Sequence, residues 1–311
     1  MISLKKISVA LISSLILISC SNDEINDTNT SINELPKDVL KKLEDLQLSP
    51  KNFELKEFVY PDGNIEEIII TSGDMAMKKN RFLNIPAGTE GISKQYRTQF
   101  IVDINIHEEV NINAYIGDTI FIDGLPRIAG LTEGAQQGIK DAVENWNSVF
   151  GSKLKLRVDF DSSLVFDEDF YEIAIANDLS LPGFGGFADF PDENGNPGAF
   201  VAIGSDANNF AAQFPDAIEH LVTHELGHTI GFRHTDWNTR QTCVDFGLEP
   251  EPSEEPNPPA LIFGTLPSIP GVIEQSNSIM NACFGVRAVT GELNVFDKNG
   301  LRSLYPGFSF Y

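Results

Sequence analysis

The chain is short of basic side chains, of cysteine and of long apolar runs, and each shortage excludes something. Its 22 lysines and arginines stand against 45 aspartates and glutamates over 311 residues, a formal net charge of -23. Phosphate binding needs a cationic footprint, so no nucleic-acid partner is expected, and docking on an anionic membrane surface is disfavoured for the same reason. The only cysteines are Cys20, Cys243 and Cys283. An upstream thiol that could cap a metal is therefore lacking, apart from Cys20. With 41% hydrophobic and 10% aromatic residues the composition is too apolar for a disordered protein. The length suits one large domain or two smaller ones, with enough chain to bury a core.

The one long apolar run is N-terminal. Lys5 and Lys6 precede Ile7 to Ile18, then Ser19 and Cys20. The run is too short to span a bilayer comfortably, and its basic, apolar, small-residue order reads as a secretory signal. Leu17-Ile18-Ser19-Cys20 resembles the lipobox of bacterial lipoproteins, which implies lipidation of Cys20 and a membrane anchor. An ordinary signal peptide or an uncleaved anchor is the alternative. Residues 21–34 read as a polar tether. Asp23-Glu24 resembles the acidic signal of surface-exposed lipoproteins, so the expected location is a bacterial outer membrane or cell surface. With Cys20 lipidated, Cys243 and Cys283 form an even pair in a compartment that permits disulfides; two free buried thiols are the alternative.

Residues 35–92 read as a small N-terminal α/β unit, pro-like or accessory. Val39, Leu40, Leu43 and Leu46 fall at helical spacing, and a hairpin is expected from Phe53 to Met77 around Pro61-Asp62-Gly63-Asn64. Pro86 to Gly91 marks a boundary, and residues 93–311 form the main domain. There, strands are expected at Thr98 to Ile106, Asp118 to Ile122, Lys153 to Phe160, Glu172 to Ala176 and Ala199 to Ile203. Thr132 is placed to cap a helix with the face Ile139, Ala142, Val143, Trp146 and Phe150. A helix from about Asp216 to Thr229 follows, then a stretch with seven prolines between Pro250 and Pro270, and a last helix near Asp297. Strands before helices suggest a mixed sheet with a helix packed behind it.

Four of the five histidines fall between positions 220 and 234, and the chain there reads His224-Glu225-Leu226-Gly227-His228-Thr229-Ile230-Gly231-Phe232-Arg233-His234. His224 and His228 lie one helical turn apart and leave the same face, so both imidazoles can bind one metal. Glu225, beside the first ligand, is placed to act on a water as a general base. Gly231 permits positive φ, ending the helix and returning His234 as a third nitrogen ligand. Three histidines leave a fourth position for water, the mark of a catalytic zinc site.

These residues resemble the metzincin zinc endopeptidases, and Ser278-Ile279-Met280-Asn281 resembles their methionine turn, with Met280 a hydrophobic floor. Gly231 to Trp237, the Cys243 and Cys283 pair, and Asn281-Ala282-Cys283 are most similar to the dual-action HEIGH metallopeptidases, over about Gln95 to Tyr305. Trp146 and Asp297 to Pro306 fit as well. The resemblance implies an α+β, metzincin-like zincin fold: a twisted mixed sheet, an active-site helix and a C-terminal subdomain. It implies one catalytic zinc ion and a protein or peptide substrate. Ala282 stands where many metzincins carry a tyrosine, so no tyrosine contribution is carried over. A monomer is expected.

Further expectations are finer. Ala199 to Ile203 is read as a sheet edge for an extended peptide, and Phe284 and Val286 as lining an apolar pocket. His220 is read as neighbouring the metal without binding it. Asp236 is assigned either to orient a ligand or to pair with Arg233, and Asp74 is a candidate cap for the metal. Asp192 to Asn196 resembles part of a calcium loop without its last acidic ligand, which leaves Ca2+ unsupported. The competing reading for the whole chain is a catalytically silent surface lipoprotein that binds metal and a protein partner.

Overall fold

The computed structural model describes residues 35–45, 53–60, 63–71, 75–84, 96–162, 171–236, 242–243, 260–262 and 278–307, with the backbone of 18–19. Cys20, Leu46, Pro61, Asp62, Asp74, Trp237 and the 86–91 boundary lie outside them. After β1 (Ile18–Ser19) the N-terminal part holds α1 (Lys37–Asp45), β2 (Phe53–Val59), β3 (Ile65–Thr71), β4 (Met75–Lys78) and α2 (Lys79–Leu83). The main part begins with β5 (Tyr96–Arg97), β6 (Val110–Tyr115), β7 (Ile120–Ile122), β8 (Leu125–Ala129), α3 (Glu133–Asn147), β9 (Leu156–Asp161) and β10 (Ile173–Asp178). It continues with β11 (Gly186–Asp189), β12 (Phe200–Gly204), α4 (Ser205–Phe210), α5 (Pro215–Thr229), β13 (Phe232–Arg233), β14 (Ala260–Leu261), β15 (Phe284–Gly285) and α6 (Val295–Leu304). Among the described residues no helix is long and apolar enough to cross a membrane.

The expected mixed α+β architecture is present. A ten-stranded sheet runs β2-β3-β4-β11-β12-β10-β6-β9, with the β7-β8 hairpin joined to β10. β10 lies parallel to both β6 and β12, whereas β11 is antiparallel to β12. Alternation sorts the two faces. Ile112, Ala114, Ile173, Ile175, Val201 and Ile203 face the helices, while Ala174, Phe187, Phe200 and Ala202 meet Phe58, Tyr60, Ile68 and Ile70 of the N-terminal hairpin.

α3 starts as its cap residue dictates: the Thr132 hydroxyl accepts from the Ala135 amide at 3.3 Å. Ile139, Ala142, Val143 and Trp146 form its buried stripe. Phe150 does not join them. It lies beyond the helix end and is 78% exposed, because the helical period no longer applies there. α3 packs on α5 closely enough that a Cβ on Gly138 would sit 2.7 Å from Ile218, and Trp146 donates its indole N–H to the Thr223 carbonyl at 3.0 Å.

Two strand expectations fail as well. Thr98 to Ile106 is not a strand: only Tyr96–Arg97 pairs, and Asp103 closes a turn by accepting from the Ile106 and His107 amides. The strand lies later, at β6, where Asn111 and Asn113 hid it; the buried sheet overrides their turn preference. Ala199 to Ile203 is a strand but not an edge, since β12 lies between β10 and β11. β4, in turn, lies along β11.

Candidate metal centre

α5 delivers the site. Pro215 opens it at a position where a missing N–H costs nothing, and residues 220 to 229 are buried throughout. At its end the Gly231 amide donates to the His228 carbonyl, and Gly231 takes φ +99°, the left-handed turn expected of it. The chain then returns as β13, antiparallel to β5, which brings His234 back under the helix. Tyr305, from the end of α6, locks this corner by donating its hydroxyl to the Ile230 carbonyl. Burial pushes the Tyr305 phenol well above its ordinary pKa, so it stays a donor.

His224, His228 and His234 converge. Their ligand atoms lie within 4.8 Å of one another, and they are the one such group of three or more among the described residues. Ring centroids are 4.7 Å apart for His224 and His228, 5.2 Å for His224 and His234, and 4.9 Å for His228 and His234. The tautomers follow from the partners. His224 Nδ1 meets the Ile279 carbonyl at 2.7 Å and His228 Nδ1 meets the Phe232 carbonyl at 3.0 Å. A carbonyl only accepts, so each Nδ1 donates to it and each Nε2 is turned into the cluster. Those two Nε2 atoms stand 3.1 Å apart, and imidazole nitrogens that converge in this way suit zinc.

Glu225 is fully buried on the same helix, directed at β11. Gly186 makes room for it: a Cβ there would stand 2.9 Å from Glu225 Oε1. Met280 is also fully buried, and its sulfur explains Gly227, where a Cβ would come within 2.4 Å of Sδ. The turn at Ser278 to Asn281 is pinned from two sides. Asp297 accepts from the Ser278 hydroxyl at 2.6 Å and from the amides of Ile279 and Asn294 at 3.1 and 2.9 Å. The Thr235 amide donates to the Met280 carbonyl at 2.8 Å.

Asp236 neither pairs with Arg233 nor orients a ligand. Its carboxylate accepts from the Ala282 amide at 2.9 Å and from the Thr242 amide and hydroxyl at 3.0 and 2.7 Å. Cys243 and Cys283 are bonded beside it, Cα atoms 5.0 Å apart. Arg233 instead lays its guanidinium over Phe190, 5.2 Å from the ring centroid, and Phe190 stands edge-on to His228.

His220 stays outside the cluster, its ring 4.2 Å from Phe284. Burial, and after it the neighbouring His224, hold the His220 imidazole well below its ordinary pKa. Phe284 and Val286 both belong to the main core cluster. The Asp192 carboxylate is engaged by its own turn, accepting from the Asn194 and Asn196 amides at 2.9 Å each. The parts played by Asp297, Tyr305 and Gly186 were not read from the sequence. The capping pattern Asn294 to Asp297 was the one available signal, and it announces only a helix start.

A comparison with curated proteins finds no match. Among solved structures, the crystal structure of myroilysin is similar at 15% identity and a TM-score of 0.34, with 64% of this chain and 84% of that chain covered. Residues 69–305, which hold the whole histidine cluster and the turn beneath it, match the family described as dual-action HEIGH metallo-peptidase. The chain belongs to that metallopeptidase family.

Proposed function

We propose that the chain is a zinc endopeptidase of metzincin type, with His224, His228 and His234 as metal ligands and Glu225 as general base. The observation that carries this reading is the convergence of three imidazoles, their ligand atoms within 4.8 Å of one another, with a buried carboxylate one residue from the first. Zinc held there supplies Lewis acidity, which acidifies a water and polarises a substrate carbonyl. Glu225 takes the proton as the water attacks the peptide carbonyl, then passes it to the leaving amine. The Ile279 and Phe232 carbonyls keep two imidazoles in the ligating tautomer, and Met280 supports them from below.

The rest of the assignment follows the sequence: a signal removed at Cys20, a lipid on that cysteine, a tether through residue 34 and a catalytic domain over residues 93–311. The lipid places the enzyme on a bacterial outer membrane or cell surface, acting as a monomer on proteins or peptides. Glu225→Gln tests the chemistry. The variant should retain one zinc per chain and lose at least about a thousandfold in kcat, the scale of removing an essential acid–base group. Zinc binding with undiminished cleavage in that variant refutes the role of Glu225.

A further inference from the structure

We propose that the face formed by the turn after α3 and by α6 docks on an anionic lipid surface, Phe150 entering the headgroup layer and the lysines around it meeting the phosphates. This face shares no residue with the histidine cluster, and its docking depends on neither the metal nor a lipid on Cys20.

Two segments far apart in sequence make one platform. Gly151 takes φ +90°, which turns the chain sharply after α3 and leaves Phe150 standing out, 78% exposed. The turn is then joined to the end of α6. The Gly307 amide donates to the Gly151 carbonyl at 2.8 Å, the Lys153 amide to the Tyr305 carbonyl at 2.9 Å, and Arg302 Nε to the Phe150 carbonyl at 2.8 Å. Val295 precedes Arg302 by seven residues, hence lies on the same side of α6, and is 59% exposed. Two apolar side chains thus stand in water on a hydrogen-bonded support.

Charge sets this face apart. Residues 148–157 and 298–307 hold Lys153, Lys155, Arg157, Lys298 and Arg302 and no aspartate or glutamate, in a chain with 45 acidic side chains against 22 basic ones. The one carboxylate of α6, Asp297, is buried and turned to Ser278. Arg157 pairs with Asp159 at 2.8 Å, whereas Lys153, Lys155, Lys298 and Arg302 form no ion pair among the described residues. The net charge of -23 repels an anionic bilayer at a distance. That repulsion is screened beyond about 10 Å in ordinary salt, so at contact the nearest charges decide. An exposed aromatic ring among basic side chains suits a membrane–water interface, the ring at headgroup level and the ammonium groups on the phosphates. A soluble polyanion would use the charges and leave Phe150 and Val295 in water.

Co-sedimentation of the full chain with vesicles tests this, phosphatidylcholine alone being compared with phosphatidylcholine plus phosphatidylglycerol. The N-terminal residues are the same in every variant, so differences between variants report the face. Lys153→Gln, Lys155→Gln and Lys298→Gln together should weaken binding to the anionic vesicles by roughly a hundredfold, about fivefold for each basic side chain, with binding to the neutral vesicles unchanged. Phe150→Ser should weaken anionic-vesicle binding by at least about tenfold. Parental affinity in the triple variant overturns the proposal. A Phe150→Ser variant that binds like the parent overturns it too, and competition by soluble polyglutamate would then make the face a site for an acidic protein segment. Should the triple variant fail to fold, Phe150→Ser, which changes only an exposed side chain, decides alone.

Discussion

The two flanks of the histidine cluster are held in different ways. Beneath it, the turn around Met280 is fixed by carboxylates: the buried Asp297 accepts three hydrogen bonds, the half-buried Asp236 accepts three more, and the Cys243–Cys283 bond closes the corner. Beside it, the N-terminal unit meets the main part through apolar faces, Arg81 near the Asp189 carboxylate and Lys56 paired with Asp178 at 2.8 Å, while a pair within the unit, Lys79 with Glu67, leaves its carboxylate 51% exposed. A buried charged acceptor leaves donors stranded when it is lost, whereas exposed pairs are replaced by water at little cost. The turn therefore depends on charged acceptors, and the N-terminal unit on apolar packing together with two ion pairs to buried carboxylates, Asp178 and Asp189.

The contrast can be broken first at Asp297. Asp297→Ala strands the Ser278 hydroxyl and two amides and should destabilise the fold by about 3 kcal/mol. Because the Ile279 carbonyl orients His224, zinc affinity should also fall, by roughly 10- to 100-fold. Denaturant melts and zinc titration check both; a variant with parental zinc affinity would detach the turn from the ligand set. A smaller loss is expected for Gly227→Ala, whose new methyl meets the Met280 sulfur, about 1–3 kcal/mol by chemical denaturation.

Next comes a pH effect. The folded state holds His220 neutral, with its pKa below the unfolded value, so as pH falls through about 6.5 the unfolded chain binds a proton that the folded chain refuses. Stability is full above that pH and drops below it by up to about 1.4 kcal/mol per pH unit. His220→Phe should flatten this slope between about pH 6.5 and 5 relative to the parent, as read from melts across that range. An unchanged slope would mean that His220 titrates normally. The smallest effect belongs to the exposed pair inside the N-terminal unit: Glu67→Ala should shift stability by less than about 0.5 kcal/mol, against the larger loss at Asp297.

The histidine cluster was legible because its geometry is local. One turn of helix and a glycine-made corner bring His224, His228 and His234 together, and both features leave marks within eleven residues. α3 was legible for a similar reason, through Thr132 and the stripe ending at Trp146. What escaped depends on distant pairings. Tyr305 reaches across 75 positions to the Ile230 carbonyl, and Asp297 across 19 to Ser278; neither separation has a period that a sequence displays. β6 escaped because its asparagines carry a turn signal that burial overrides. The place of β12 inside the sheet, rather than at its edge, depends on β11 turning back antiparallel and on β4 arriving from over a hundred residues upstream.

The account stands on one coordination centre, so X-ray absorption at the zinc edge on the purified full chain tests it most directly. It predicts one zinc per chain with three nitrogen neighbours from imidazole and one further light-atom ligand, and one fewer imidazole in His234→Ala. A spectrum showing sulfur ligation, a stoichiometry other than one, or no change on removing His234 would contradict it.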